Sequence, residues 1–226
     1  MHLAHILDPK DLAFPGEATL EVRKDRIIGE DGKPFNSTLS VLPNHVGTHM
    51  DGPHHFNTVG MDFHELPEKY FGYEGDEVLL IDLPHRGDFR EVITRQDIEP
   101  YAQQLKGKRL LLLRTGFVRY KFSEPERYTT EGVSLHSDLS RYLNEEFPEL
   151  DCIGMDFLSI ASPTNDYGVE AHRWLLGNYT DHIICGIEDM PLDALGDRKI
   201  KAITLGPLRI KGVDSSQVCA MAWLED

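Results

Sequence analysis

At 226 residues the chain is long enough to bury a substantial core as one domain, against a usual domain of about 100–200 residues. Its net charge of −15, with Lys and Arg scattered and no basic block, excludes nucleic acid as a natural partner and reads as a solvated acidic surface. No stretch approaches the roughly 20 apolar residues that a membrane span needs. Asp8 and Lys10 interrupt the N-terminal segment where a secretion signal would be unbroken and apolar, so a cytoplasmic protein is expected.

In chain order, short or alternating apolar runs predict strands at 18–22, 38–42, 77–83, 108–114, 152–155, 182–186, 202–205 and 218–224. Two helices are legible. Thr94 and Asp97 have capping-box spacing, and Ile98, Tyr101, Ala102 and Leu105 then share one face before Gly107. The second runs from Ser137 to Phe147, with Leu139, Tyr142, Leu143 and Phe147 at helical spacing and Pro148 beyond its end. Each helix is followed by an apolar strand, which predicts crossover connections. The expectation is a single α/β domain over residues 1–226, a mixed β-sheet with flanking helices; no repeat or linker divides it. Cys152, Cys185 and Cys219 are odd in number and lack CxxC pairing, so on spacing alone they read as small buried hydrophobes.

Chemistry concentrates in one place. Five of the eleven histidines, His45, His49, His54, His55 and His64, lie within twenty residues, with Asp51 among them. Imidazole and carboxylate suit zinc, manganese or iron. His49 and Asp51, two apart, share one side of a strand at a Cα separation of about 6.6 Å. His45 and His49 would be about 13 Å apart if extended, so the chain must fold back between them. Gly47 permits that turn through a positive φ, and Gly52-Pro53 can return His55 to the same pocket. His45, His49 and Asp51 then make a two-imidazole, one-carboxylate set with coordination positions left open, as a hydrolytic metal needs. His55 is a general acid–base candidate or, alternatively, a ligand to a second ion. His54 has odd spacing from Asp51 and faces away on a strand, and it and His64 read as structural.

The string His45-Val46-Gly47-Thr48-His49-Met50-Asp51-Gly52-Pro53-His54-His55-Phe56 matches HxGTHxDxPxHF, the signature of the cyclase family that includes bacterial kynurenine formamidases and isatin hydrolases. Pro15-Gly16-Glu17, Leu112-Leu113-Arg114-Thr115-Gly116 and Gly154-Met155-Asp156 with Ser159-Ile160 resemble further family segments in the expected order. The resemblance implies a swivelling β/β/α fold and a homodimer or higher homo-oligomer. The implied activity is metal-dependent hydrolysis of amide bonds in small formylated or cyclic compounds, using one or two Zn2+ or Mn2+ ions. By position it makes His45, His49 and Asp51 metal ligands, makes His55 catalytic with access to a second ion, and adds His172 to that second site. The chain departs from the pattern at Cys185, where formamidase members carry a glutamate; a Cys185 thiolate, Glu188 swinging in, or a missing second ion would each fit. Ala161 stands where many relatives have aspartate. Rival readings are a metal-stabilised binding protein without turnover, whose ligand shell would be closed, and a ring-forming or lactone-cleaving enzyme.

Overall fold

The run from Leu110 to Leu113 is wholly buried, which a strand achieves only when both faces of its sheet are covered. In the computed structural model, which describes residues 1–225, it lies within an eight-stranded mixed sheet. The strands are β1 (Glu21–Arg26), β2 (Ser37–Val41), β3 (His49–Asp51), β4 (Gly72–Glu74), β5 (Val78–Asp82), β6 (Val92–Ile93), β7 (Leu110–Arg114), β8 (Ser134–Leu135), β9 (Cys152–Met155), β10 (Cys185–Glu188), β11 (Ile200–Pro207) and β12 (Ser215–Leu224). The helices are α1 (Arg95–Ile98), α2 (Ala102–Leu105), α3 (Tyr120–Ser123), α4 (Pro125–Thr130), α5 (Ser137–Glu146) and α6 (Gly168–Leu175).

The main sheet has the order β4-β11-β12-β3-β10-β9-β7-β5. From β5 to β10 neighbouring strands are parallel, as the crossover reading requires, and from β10 through β3 to β4 they are antiparallel. The change of direction falls at the β10–β3 pair. Side-chain alternation divides the interior into two cores. Leu111, Leu113, Ile153 and Met155 pack with α5 and α6 on one face, and Leu110, Leu112, Cys152, Cys185, Ile187 and Met50 pack on the other. The mixed α/β fold is as expected, and among the described residues no helix is long and apolar enough to cross a membrane.

Three local departures have plain causes. The helix expected over 94–105 is broken into α1, a 3-10 turn over Glu99–Tyr101 and α2, because Pro100 supplies no N–H and its ring obstructs a continuous helix. The first strand begins three residues later than expected and pairs with β2 as a separate, solvent-exposed ribbon. The strand expected at 182–186 is instead β10 at Cys185–Glu188, because His182 spends both ring nitrogens on the carbonyls of Asn144 and Leu150 and holds the preceding residues in a loop.

Candidate metal centre

The turn into β3 is made by Gly47 at φ 66, the left-handed conformation its position in the motif predicts. His45 is thereby folded back so that its ring centroid is 5.1 Å from that of His49. On β3, His49 and Asp51 point to the same face, with Nε2 and Oδ1 3.5 Å apart. After Asp51, Gly52 lies so close to the Asp214 carbonyl that an added Cβ would sit 2.7 Å from it. This close approach lets the following turn deliver His55 beside His45, at a ring separation of 4.2 Å.

The β10–β3 register sets Glu188 opposite His49, and Glu188 Oε2 is 3.3 Å from His49 Nε2. Its other oxygen accepts from Ser159 Oγ at 3.0 Å and Ile160 N at 2.7 Å. From α6, His172 Nε2 reaches 3.6 Å from Asp51 and 3.7 Å from Glu188. At the rim, Asp214 accepts from both His45 Nε2 and His55 Nδ1 at 2.9 Å, and from Asn44 at 3.1 Å.

His45, His49, Asp51, His55 and His172 are therefore brought together. Cys185 is not: three residues before Glu188 on the same strand, it faces the opposite core with Ile187 and Cys152. The expectation of a Cys185 ligand gives way to Glu188, since an odd offset along a strand reverses the face. His54 turns outward to Asp62, and His64 lies apart beside the same carboxylate. Sequence reasoning missed Asp214 and Ser159; the only signal for either was Ser159's place in the GxDxxSI segment.

Electrostatics show what the cluster lacks. His49 and His172 each donate Nδ1–H to a backbone carbonyl, of Gly47 at 2.8 Å and Gly168 at 2.6 Å, which fixes the tautomer and leaves Nε2 with a lone pair facing the carboxylates. His49 Nε2 and both Asp51 oxygens are buried with no hydrogen-bond partner. Acceptors crowded against acceptors require a cation between them. Protons alone answer this need by shifting the histidines upward. Burial would lower His45, but Asp214 and Asp51 outweigh it and push it up to about 10. Burial likewise opposes protonation of His172, yet Asp51 and Glu188 raise it to about 9. For Glu188, burial and the nearby Asp51 charge would raise the carboxyl, and His172 and His49 overcome both, bringing it to about 2. Among the described residues two donor sets can hold a metal ion, His45–Asp51–His55 and His49–Asp51–Glu188, with Asp51 common to both. A cavity of about 180 Å³ opens beside them, with Phe14, Phe56, Leu158 and Ala161 on its walls.

Residues 1–162 match the family model Cyclase, described as "Putative cyclase". A kynurenine formamidase of Bacillus cereus is 31% identical over 193 residues, covering 85% of this chain and 82% of that protein. The fold is similar to that of isatin hydrolase A from Labrenzia aggregata bound to benzyl benzoate, with a TM-score of 0.78 at 21% identity over 98% of this chain and 92% of that one. It is also similar to a protein of Bacillus stearothermophilus described as a predicted metal-dependent hydrolase, with a TM-score of 0.71 at 19% identity over 98% of this chain and 96% of that one. With its motif, its fold and this match over most of its length, the chain belongs to the Cyclase family.

Proposed function

We propose that this chain is a metal-dependent hydrolase of an amide C–N bond in a small formylated or cyclic compound. The observation that carries the reading is the orphaned buried set, His49 Nε2 and both oxygens of Asp51, beside an open cavity that His49 lines. The donor chemistry fits one or two Zn2+ or Mn2+ ions, held by His45, Asp51 and His55 and by His49, Asp51 and Glu188, with His172 beside the second set. Such an ion, when bound, supplies Lewis acidity toward the carbonyl and acidifies water.

The side chains divide the remaining work. Asp214 holds His55 through Nδ1, so with an ion held by the His49–Asp51–Glu188 set alone the opposite His55 nitrogen is free to carry a proton toward the leaving amine. His172 is fixed by Gly168 and stacked at 4.4 Å on Phe56, which keeps its Nε2 on the site and shields it from water. Phe14, Phe56 and Leu158 give the substrate an apolar seat. That open seat favours turnover over a closed structural site. Exposed apolar residues on the β1–β2 ribbon, Val22, Leu39 and Val41, support a homodimer, because a two-stranded ribbon has little stability alone. The kynurenine formamidase relative supports a formylated aromatic amine as the substrate class.

The test is hydrolysis of an amide, imide and ester panel by protein stripped with chelator and reloaded with zinc or manganese. Amide turnover that vanishes on stripping and returns on reloading is the expected result; turnover confined to esters or lactones favours the ring-opening reading instead.

A further inference from the structure

Immediately after Glu188 the chain does something costly. Asp189 adopts φ 55, a left-handed conformation that strains a residue other than glycine, although aspartate tolerates it better than most. Its carboxylate is 1% exposed. One oxygen accepts from Lys121 Nζ at 2.6 Å and the other from Tyr128 OH at 2.7 Å. Lys121 itself is only 7% exposed, so both charges have left water, and such a pair repays its desolvation only with good geometry.

The backbone of Asp189 is tied as firmly as its side chain. Its N–H donates to the Phe157 carbonyl at 2.9 Å. Its carbonyl accepts from Thr48 Oγ1 at 2.6 Å, and that hydroxyl oxygen also accepts from His5 N at 3.0 Å. Thr48 directly precedes His49. The residue after one donor of the metal centre is thus bonded to the residue before another. His5 completes the group, with Nε2 3.6 Å from the same carboxylate. None of these groups lines the cavity that holds the donor atoms.

We propose that Asp189, clamped by Lys121 and Tyr128, is a positioning residue that fixes the Glu188 carboxylate against His49 and thereby sets the affinity of the centre for a divalent cation. The inference rests on the metal reading above and names a determinant that neither the motif nor the donor set contains. Supporting groups of this kind commonly change metal affinity by about 10–100-fold when removed.

The test uses the stripped full chain, titrated with Co2+ for its visible absorption and with Zn2+ against a competing chelator. Asp189→Asn keeps the size and tolerance of positive φ but loses the ion pair, and Lys121→Met removes the other partner. Each is expected to weaken Zn2+ binding about 10–100-fold and to alter the Co2+ spectrum. In the double variant no buried charge is left unpaired, so denaturant stability recovers while affinity and spectrum stay altered; a merely structural role would restore all three. Tyr128→Phe reads the same clamp more gently, with a severalfold loss of affinity, should either charge variant fail to fold. Variants that bind both ions with the affinity and spectrum of the wild type overturn the clamp alone. A wild-type chain that takes up neither ion overturns the metal reading and the clamp with it.

Discussion

The two walls of the metal centre are built differently. Asp51, His49, Glu188 and His172 stand on β3, β10 and α6 with side-chain exposures of 1% to 4%, whereas His45, His55 and Asp214 sit on loops at 22% to 33%. In the buried wall, His49 Nε2 and both Asp51 oxygens face the other donors with their hydrogen-bonding capacity unspent. In the loop wall the same residue types are satisfied by Asp214. A buried donor set without partners is stable only with a cation, while an exposed set held by a carboxylate can keep its geometry through changes of protonation. The buried wall is suited to binding and the loop wall to moving protons.

Substitutions separate these roles, and Asp51→Ala has the largest expected effect. Because Asp51 serves both donor sets, amide turnover falls on the order of a thousandfold or more and bound metal is lost, as elemental analysis of the purified variant would report. Next comes a pair on β10. Glu188→Gln weakens metal binding at least about 10–100-fold, whereas Cys185→Ala, on the opposite face, leaves metal content unchanged and costs about 1 kcal/mol in denaturant stability. Equal metal loss in both would erase the distinction between the faces of that strand. On the loop wall, Asp214→Asn lowers kcat by about 10–100-fold while the chain keeps metal in the His49–Asp51–Glu188 set. Loss of all metal in that variant would mean that the walls act as one.

A smaller effect lies outside both walls and serves as a control. Burial would raise the Asp97 carboxyl, but the Thr94 N–H, His85 and Arg86 outweigh it and bring it to about 2 from 3.8. A carboxyl lowered on folding stabilises above its unfolded pKa, and that contribution is lost as pH falls through the folded value. With solvent screening allowed for, Asp97→Asn costs about 1 kcal/mol at pH 7. The deficit disappears between about pH 4 and pH 2. Urea unfolding of both proteins across that range measures it, and metal content stays constant at neutral pH.

The same division governs what could be read from sequence. The apolar runs of β5, β7 and β9 and the amphipathic α5 are local patterns buried by the elements beside them, and they stand where periodicity places them. His45, His49, Asp51 and His55 were legible because a single turn at Gly47 and another at Gly52-Pro53 gather them within eleven residues. Glu188 was legible only as one of three alternatives, because matching the family's glutamate by position points to Cys185, and only the strand's face, set by its pairing with β3, separates the two. Asp214 lies 159 residues from His55 in the chain and meets it only because β12 pairs with β3. Nothing in the neighbourhood of Asp214 distinguishes it from the other acidic residues until that long-range pairing forms.

The most direct measurement is the metal content of purified chain before and after chelation, followed by amide turnover of the same samples. At least one equivalent of a divalent ion, lost together with turnover and restored with it, is the predicted result. Full amide turnover by metal-free chain would contradict the account.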